Sequence, residues 1–298
     1  MLESLGHQTT VSSFSRMATA RDDQHRHGQA QRREGHERRC GPSSPQPPVQ
    51  PRFSLTTGCA GWEHVPVTEP SEAFYDRFAA QFESHAEASA WNAFYDRPAL
   101  LDLLGDVSGM AVLDAGCGPG LYAQELLRRG AVVTAFDASG EMVRLARSRL
   151  GEGVDLRVSD LNHPLTWLAD DSQDLAVMAL VLHHVDNRES ALRELHRVLR
   201  PGGGLVLSTT HPTRDWRFQG GSYFDVEQIE ETWGDDWRVR YWRQPLQQWC
   251  SEFADAGFLI ERLIEPQPIP AMAKTHPDEY QKLTNEPGLI AFRLVKPL

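Results

Sequence analysis

The chain has 298 residues, 40% of them hydrophobic and 24% charged, which is enough apolar content for one sizeable α/β domain and an appendage. Its formal net charge of -11 excludes bulk attraction to phosphate backbones or anionic lipid, so neither nucleic acid nor a membrane surface is an expected partner. Cys40, Cys59, Cys117 and Cys250 are scattered with no C-x-x-C pair, and no apolar run is long enough to span a bilayer, so a cytoplasmic chain is expected.

Residues 1–70 are polar and low in aliphatics, with R-D-D-Q-H-R-H-G followed by G-P-S-S-P-Q-P-P. Such a composition buries too little apolar surface to offset its ordering entropy, and the expectation is a disordered extension. His25, His27, His36 and Cys40 match no zinc spacing, and no metal is expected there. The catalytic part is expected to occupy 71–298. From Glu72 the spacing of Phe74, Tyr75, Phe78 and Phe82, then of Trp91, Phe94 and Tyr95, predicts two short helices.

After Gly109 short β-rich runs alternate with helical patterns. They are A-V-L-D-A, a helix through Leu121 to Arg129, V-V-T-A-F-D, a helix through Met142 to Leu150, and V-D-L-R-V-S-D. Next come D-L-A-V-M-A-L, a helix from Glu189 to Leu199 and L-V-L-S-T-T, then an irregular stretch over 212–244. A helix through Trp249 to Ala256 and two strands close the chain. The alternation predicts βαβ units, a doubly wound, mainly parallel sheet covered on both faces.

The run V-L-D-A-G-C-G-P-G places Asp114, Gly116, Gly118 and Gly120 between a strand and a helix. Glycine lets the backbone turn tightly and lets a ligand approach closely, and the helix N-terminus offers free N–H groups. A dinucleotide fingerprint requires glycine at position 121, which is Leu121, so a nicotinamide cofactor is disfavoured. Asp137 closes the second strand 23 residues after Asp114, where a carboxylate can accept from both ribose hydroxyls. It can also simply begin the turn into the next helix.

With these blocks in order, residues 71–298 resemble class I S-adenosylmethionine-dependent methyltransferases, the broad group that includes ubiquinone and menaquinone biosynthesis enzymes and secondary-metabolite methyltransferases. The four blocks are V-L-D-A-G-C-G-P-G, A-F-D-A-S, S-D-L, and L-H-H-V-D-N to L-R-P-G-G-G-L. The resemblance implies a Rossmann-like, seven-stranded sheet with an N-terminal helical cover and a lid over 212–244, and S-adenosylmethionine as cofactor. It implies that Asp114, Gly116, Cys117, Gly118 and Gly120 line the methionine end, and that Asp137, with Ala138 and Met142 beside it, lines the ribose. Asp160 and Leu161 would line the adenine, with Leu180 completing the cleft. Asp160 can instead form a side-chain turn, and Cys117 reads as a packed thiol with no basic neighbour to activate it.

On the acceptor side His183 and His184 follow the fourth strand, where open α/β sheets bind ligands, and a histidine of near-neutral pKa can take a proton from a phenol, indole or amine. Packing under the sheet is the alternative for at least one of them. Tyr75 and Tyr95 compete for the role, and Arg97 is a candidate partner for the methionine carboxylate. The fourth strand ends in Ala179 and Leu180, without the carboxylate of metal-assisted relatives, so no metal is expected. Eight aromatic residues in 212–244 suit a planar acceptor or the lid's own core, and Glu227, Glu230 and Glu231 read as a solvated helix face. A non-catalytic cofactor-binding scaffold is the reading from another class.

Overall fold

The structure, a computed structural model, describes Asp76, residues 79–233 and residues 237–298. The expectations for residues 1–70 and for Tyr75 lie outside the described residues.

The strands are β1 (Ala111–Ala115), β2 (Val132–Asp137), β3 (Asp155–Val158), β4 (Gln173–Ala179), β5 (Leu199–Thr210), β6 (Glu227–Trp233), β7 (Trp237–Arg243), β8 (Leu259–Ile264) and β9 (Leu289–Val295). Seven of them form one sheet in the order β3-β2-β1-β4-β5-β9-β8. The contacts from β3 to β5 are parallel, and β9 runs antiparallel to both neighbours. This is the doubly wound, mainly parallel sheet expected from the alternation of patterns. Apolar runs such as A-V-L-D-A and Q-D-L-A-V-M-A are buried almost throughout, as strands covered on both faces must be.

The helices are α1 (Ala79–Ala88), α2 (Arg97–Leu104), α3 (Leu121–Arg128), α4 (Gly140–Leu150), α5 (Arg188–Val198), α6 (Pro212–Gln219), α7 (Leu246–Asp255), α8 (Met272–Thr275) and α9 (Pro277–Asn285), with a π-helical turn over Asn92–Asp96. Leucines of α2 pack with Ala123 and Leu126 of α3 and Val143 and Ala146 of α4 against one face of the sheet. On the other face Leu192, Leu195 and Val198 of α5 pack with Trp249 and Phe253 of α7. Local chemistry fixes where these helices start. Ser139 Oγ accepts from Met142 N at 3.1 Å to cap α4, and Asn187 does the same for α5 through Ser190 N at 3.3 Å.

The stretch expected to be irregular is ordered: α6 is followed by an antiparallel hairpin of β6 and β7. Glu227, Glu230 and Glu231 therefore sit on a strand and not on a helix face. Strand β6 alternates a buried Ile229 with exposed Glu230, a period of two that glutamate-rich composition disguised. The N-terminal cover docks on α4 through Ala79 and Phe82 against Met142 and Leu145, and through Arg149 reaching Glu83 at 2.7 Å and Glu87 at 2.5 Å.

Candidate active site

The strand order reverses between β1 and β4, which opens a crevice outside their carboxyl ends. Gly116, Gly118 and Gly120 fill the turn from β1 into α3, all at positive φ (77°, 52° and 84°). They differ in what surrounds them. A Cβ at Gly116 would lie 2.5 Å from Val181 Cγ2, and one at Gly120 would press on Ala146 at 3.2 Å, whereas one at Gly118 meets nothing within 4 Å. Gly116 and Gly120 are thus required by packing, and Gly118 faces open space that a ligand can enter.

Asp137 holds the loop from the next strand. Its Oδ2 accepts from Gly118 N at 2.8 Å and its Oδ1 from Ser139 N at 2.9 Å, so the carboxylate is fixed while each oxygen keeps a lone pair. Burial pushes its pKa up against these two donors. Asp76 reaches the same corner, accepting from Ser139 Oγ and from Glu141 N. Ala138 is exposed beside it, while Met142 is buried in the contact with the cover.

Asp114 is buried at the end of β1. Burial raises its carboxyl to about 7, Ala123 N donates to it, and Oδ2 has no partner among the described residues. Cys117 is buried as well, with its thiol pushed well up by burial and by the nearby carboxylates, which fits a packed residue and not a nucleophile. Asp160 Oδ1 accepts from Asn162 N at 2.8 Å and from Asn162 Nδ2 at 3.0 Å, so the side-chain turn forms. Leu161 is buried in the core beside Phe136.

Leu180 is a left-handed residue (φ 57°) with a side chain, and its N–H donates to Ser208 O at 3.2 Å and to Ser208 Oγ at 3.1 Å. Non-glycine residues adopt this conformation at a cost and cluster at functional sites. The chain then enters a 3-10 turn over Leu182–His184. His183 is buried, its Nδ1 lies 3.1 Å from Thr209 Oγ1, and its Nε2 has no partner among the described residues. His184 Nδ1 is 3.3 Å from Arg240 O of the hairpin. The near-neutral pKa expected for these histidines does not hold: burial lowers His184 to about 4 and His183 well below its ordinary value, the latter helped by His184 and Arg214. Both imidazoles are neutral at pH 7.

Tyr95 is buried, and its hydroxyl accepts from Gly288 N at 3.0 Å and Leu289 N at 3.4 Å. These bonds, with burial raising its pKa, make it an anchor between the cover and β9. Pattern reading missed Asp96, which is buried with Oδ2 accepting from Tyr122 O–H at 2.6 Å, and it missed the cluster around Arg214. That guanidinium donates to Asp215 at 2.9 Å, Tyr241 O–H at 2.7 Å and Glu231 at 2.6 Å, binding α6 to the hairpin. Tyr241 packs in the hairpin's own core with Ile229 and Val239, Trp216 meets Tyr223 edge-on at 6.1 Å, and Phe224 is exposed. The side chains of Trp233 and Trp237 lie outside the described residues.

A sheet of this order, with a glycine turn after β1 and a carboxylate ending β2, is the Rossmann-like methyltransferase fold expected from the sequence. Residues 113–207 match the family described as Methyltransferase domain. The chain is 39% identical over 111 residues to the ubiquinone biosynthesis O-methyltransferase of Xanthomonas oryzae pv. oryzae, covering 36% of this chain and 46% of that one. It is 36% identical over 137 residues to the malonyl-[acyl-carrier protein] O-methyltransferase of Pseudescherichia vulneris, covering 46% and 52%. It thus spans about half the length of these relatives. In fold it is similar to an S-adenosylmethionine dependent methyltransferase from Mesorhizobium loti, with a TM-score of 0.56 at 24% identity over 70% of this chain and 99% of that one. The resemblance to class I S-adenosylmethionine-dependent methyltransferases drawn from the four sequence blocks therefore holds.

Proposed function

We propose that the protein binds S-adenosylmethionine in the crevice between β1 and β4 and transfers its methyl group to a small-molecule acceptor. One observation carries this reading. Three positive-φ glycines turn the chain from β1 into α3, and the Asp137 carboxylate that ends β2 is locked to the middle one through Gly118 N. Open space at Gly118 and the unpartnered buried Oδ2 of Asp114 fit a ligand that approaches the loop closely and brings hydrogen-bond donors.

Asp137 would receive the ribose hydroxyls, Gly116 to Gly120 with Cys117 and Asp114 the amino-acid end, and Leu161 with Asp160 the adenine. When bound, the cofactor supplies a methyl group on a sulfonium, already attached to a good leaving group. The protein's task is then in-line placement, which alone can lower a barrier by roughly 7 to 11 kcal/mol. His183 and His184 are the candidate proton acceptors; burial keeps both neutral, which leaves a lone pair for the proton, and at the same time weakens them as bases.

For the acceptor, a neutral or cationic planar ring is the favoured class. The half-buried Arg214 already carries Asp215, Glu231 and Tyr241, so it has little positive charge to offer an anion. The test has two arms. Calorimetry with S-adenosylmethionine and with NAD separates the cofactors, and binding of NAD alone would overturn the proposal. A gain of ~14 Da on one member of a pooled metabolite extract, hydrogen replaced by methyl, identifies the acceptor. Cofactor binding with no turnover on any acceptor would favour the non-catalytic scaffold.

A further inference from the structure

Asp96 ends the π-helical turn before α2 and is 1% exposed. Its Oδ2 accepts from Tyr122 O–H at 2.6 Å, in the first turn of α3 directly after the glycine loop, and the Ser208 hydroxyl also hydrogen-bonds to the carboxylate. Its Oδ1 is buried and has no partner among the described residues. The next residue mirrors it. Arg97 donates from Nη2 to Ala86 O at 2.6 Å and lies over the Tyr122 ring at 5.9 Å, yet its Nε is buried without a partner.

Consecutive residues of the cover thus carry one unsatisfied acceptor and one unsatisfied donor, both beside Tyr122. Leaving a charged group buried and incompletely bonded costs free energy, and its persistence in a fold points to a missing partner. The ligand chemistry that answers a carboxylate and a guanidinium together is an α-amino acid zwitterion, with ammonium for the first and carboxylate for the second. Tyr122 occupies Oδ2, and Oδ1, buried without a partner among the described residues, is the atom left for the ammonium.

We propose that Asp96 Oδ1 binds the α-ammonium group of the cofactor's amino-acid end, and that this residue sets selectivity for a ligand carrying a free amine. The inference rests on the proposed cofactor. It makes the N-terminal cover part of the binding site and gives the buried carboxylate a purpose that packing does not.

The test uses the full chain and two probes, S-adenosylhomocysteine and its analogue with the α-amino group replaced by hydrogen, each titrated calorimetrically. The parent should prefer the amine-bearing probe by roughly 10- to 100-fold, the worth of one charge-assisted hydrogen bond. Asp96→Asn should lose that preference by weakening the amine-bearing probe alone, with the amine-free analogue within about twofold of the parent. A merely structural role would weaken both probes alike, and that outcome overturns the proposal. Equal affinity of the parent for the two probes overturns it without any variant, which covers the case of a variant that does not fold. A parent that binds neither probe refutes the cofactor reading instead, a different and recognisable failure.

Discussion

Gly118→Ala isolates the ligand-facing part of the loop from its structural part. At Gly118 the backbone is left-handed (φ 52°) and the new methyl meets nothing within 4 Å, so the fold bears only the conformational penalty of an L-residue there, about 1 to 2 kcal/mol. Gly116→Ala has the same penalty and in addition puts a Cβ 2.5 Å from Val181 Cγ2, overpacking worth about 1 to 3 kcal/mol more. Urea unfolding should therefore rank the variants parent, Gly118→Ala, Gly116→Ala, with a loss for the last of about 2 to 5 kcal/mol. Titration with S-adenosylmethionine should give a further separation. Gly118→Ala, though the more stable variant, should lose roughly 10-fold or more in affinity, about 1.4 kcal/mol, because its methyl occupies the approach to the loop. Parental affinity in Gly118→Ala would refute the placement of the cofactor against this backbone.

Asp137→Ala should weaken S-adenosylmethionine by roughly 1.5 to 3 kcal/mol in the same titration, and unchanged affinity would remove Asp137 from the ribose role. Replacing the base among His183 and His184 by Gln should lower turnover roughly 100-fold with little effect on cofactor affinity, and parental rates in both single variants would end the histidine proposal. Because burial holds His184 near 4, a rate that depends on it should be flat from about pH 6 to about pH 8 and fall only towards 4, so an inflection near the ordinary histidine value would count against it. Asp114 works in the opposite direction. Its carboxyl is raised to about 7, so the folded state holds a proton that the unfolded chain has released. The stability from this group is complete below about 4 and falls by about 1.4 kcal/mol per pH unit until about 7. Denaturant midpoints of the parent and Asp114→Asn across that window should diverge with this slope, and parallel curves would contradict it.

The parts legible in the sequence were those whose causes are local. A run such as A-V-L-D-A, buried on both faces, announces a central parallel strand because no polar residue interrupts it, and G-C-G-P-G announces a turn because positive φ favours glycine. Asp137 was readable for the same reason, sitting at a strand end that the pattern fixed. The hairpin was not. Strands β6 and β7 alternate buried Ile229, Val239 and Tyr241 with glutamate and arginine, which carries little β-propensity, and Glu231 is stabilised there by Arg214 from another element.

Contacts between distant residues decide the rest, and they explain why the histidines were read with too high a pKa. His183 and His184 follow β4 as expected, but their environment is supplied by Thr209, Tyr241 and Arg240 from β5 and β7, none of which a neighbouring pattern reveals. Those elements exclude water, and exclusion of water lowers the imidazole pKa below its ordinary value. Asp96 obeys the same logic with the sign reversed. In F-Y-D-R-P it looks like an ordinary helical acid beside an arginine, and only the fold brings Tyr122 to its Oδ2, sets the Ser208 hydroxyl against the carboxylate and buries Oδ1 without a partner among the described residues. Burial by remote elements raises its carboxyl to about 6, a departure that spacing within the cover does not reveal.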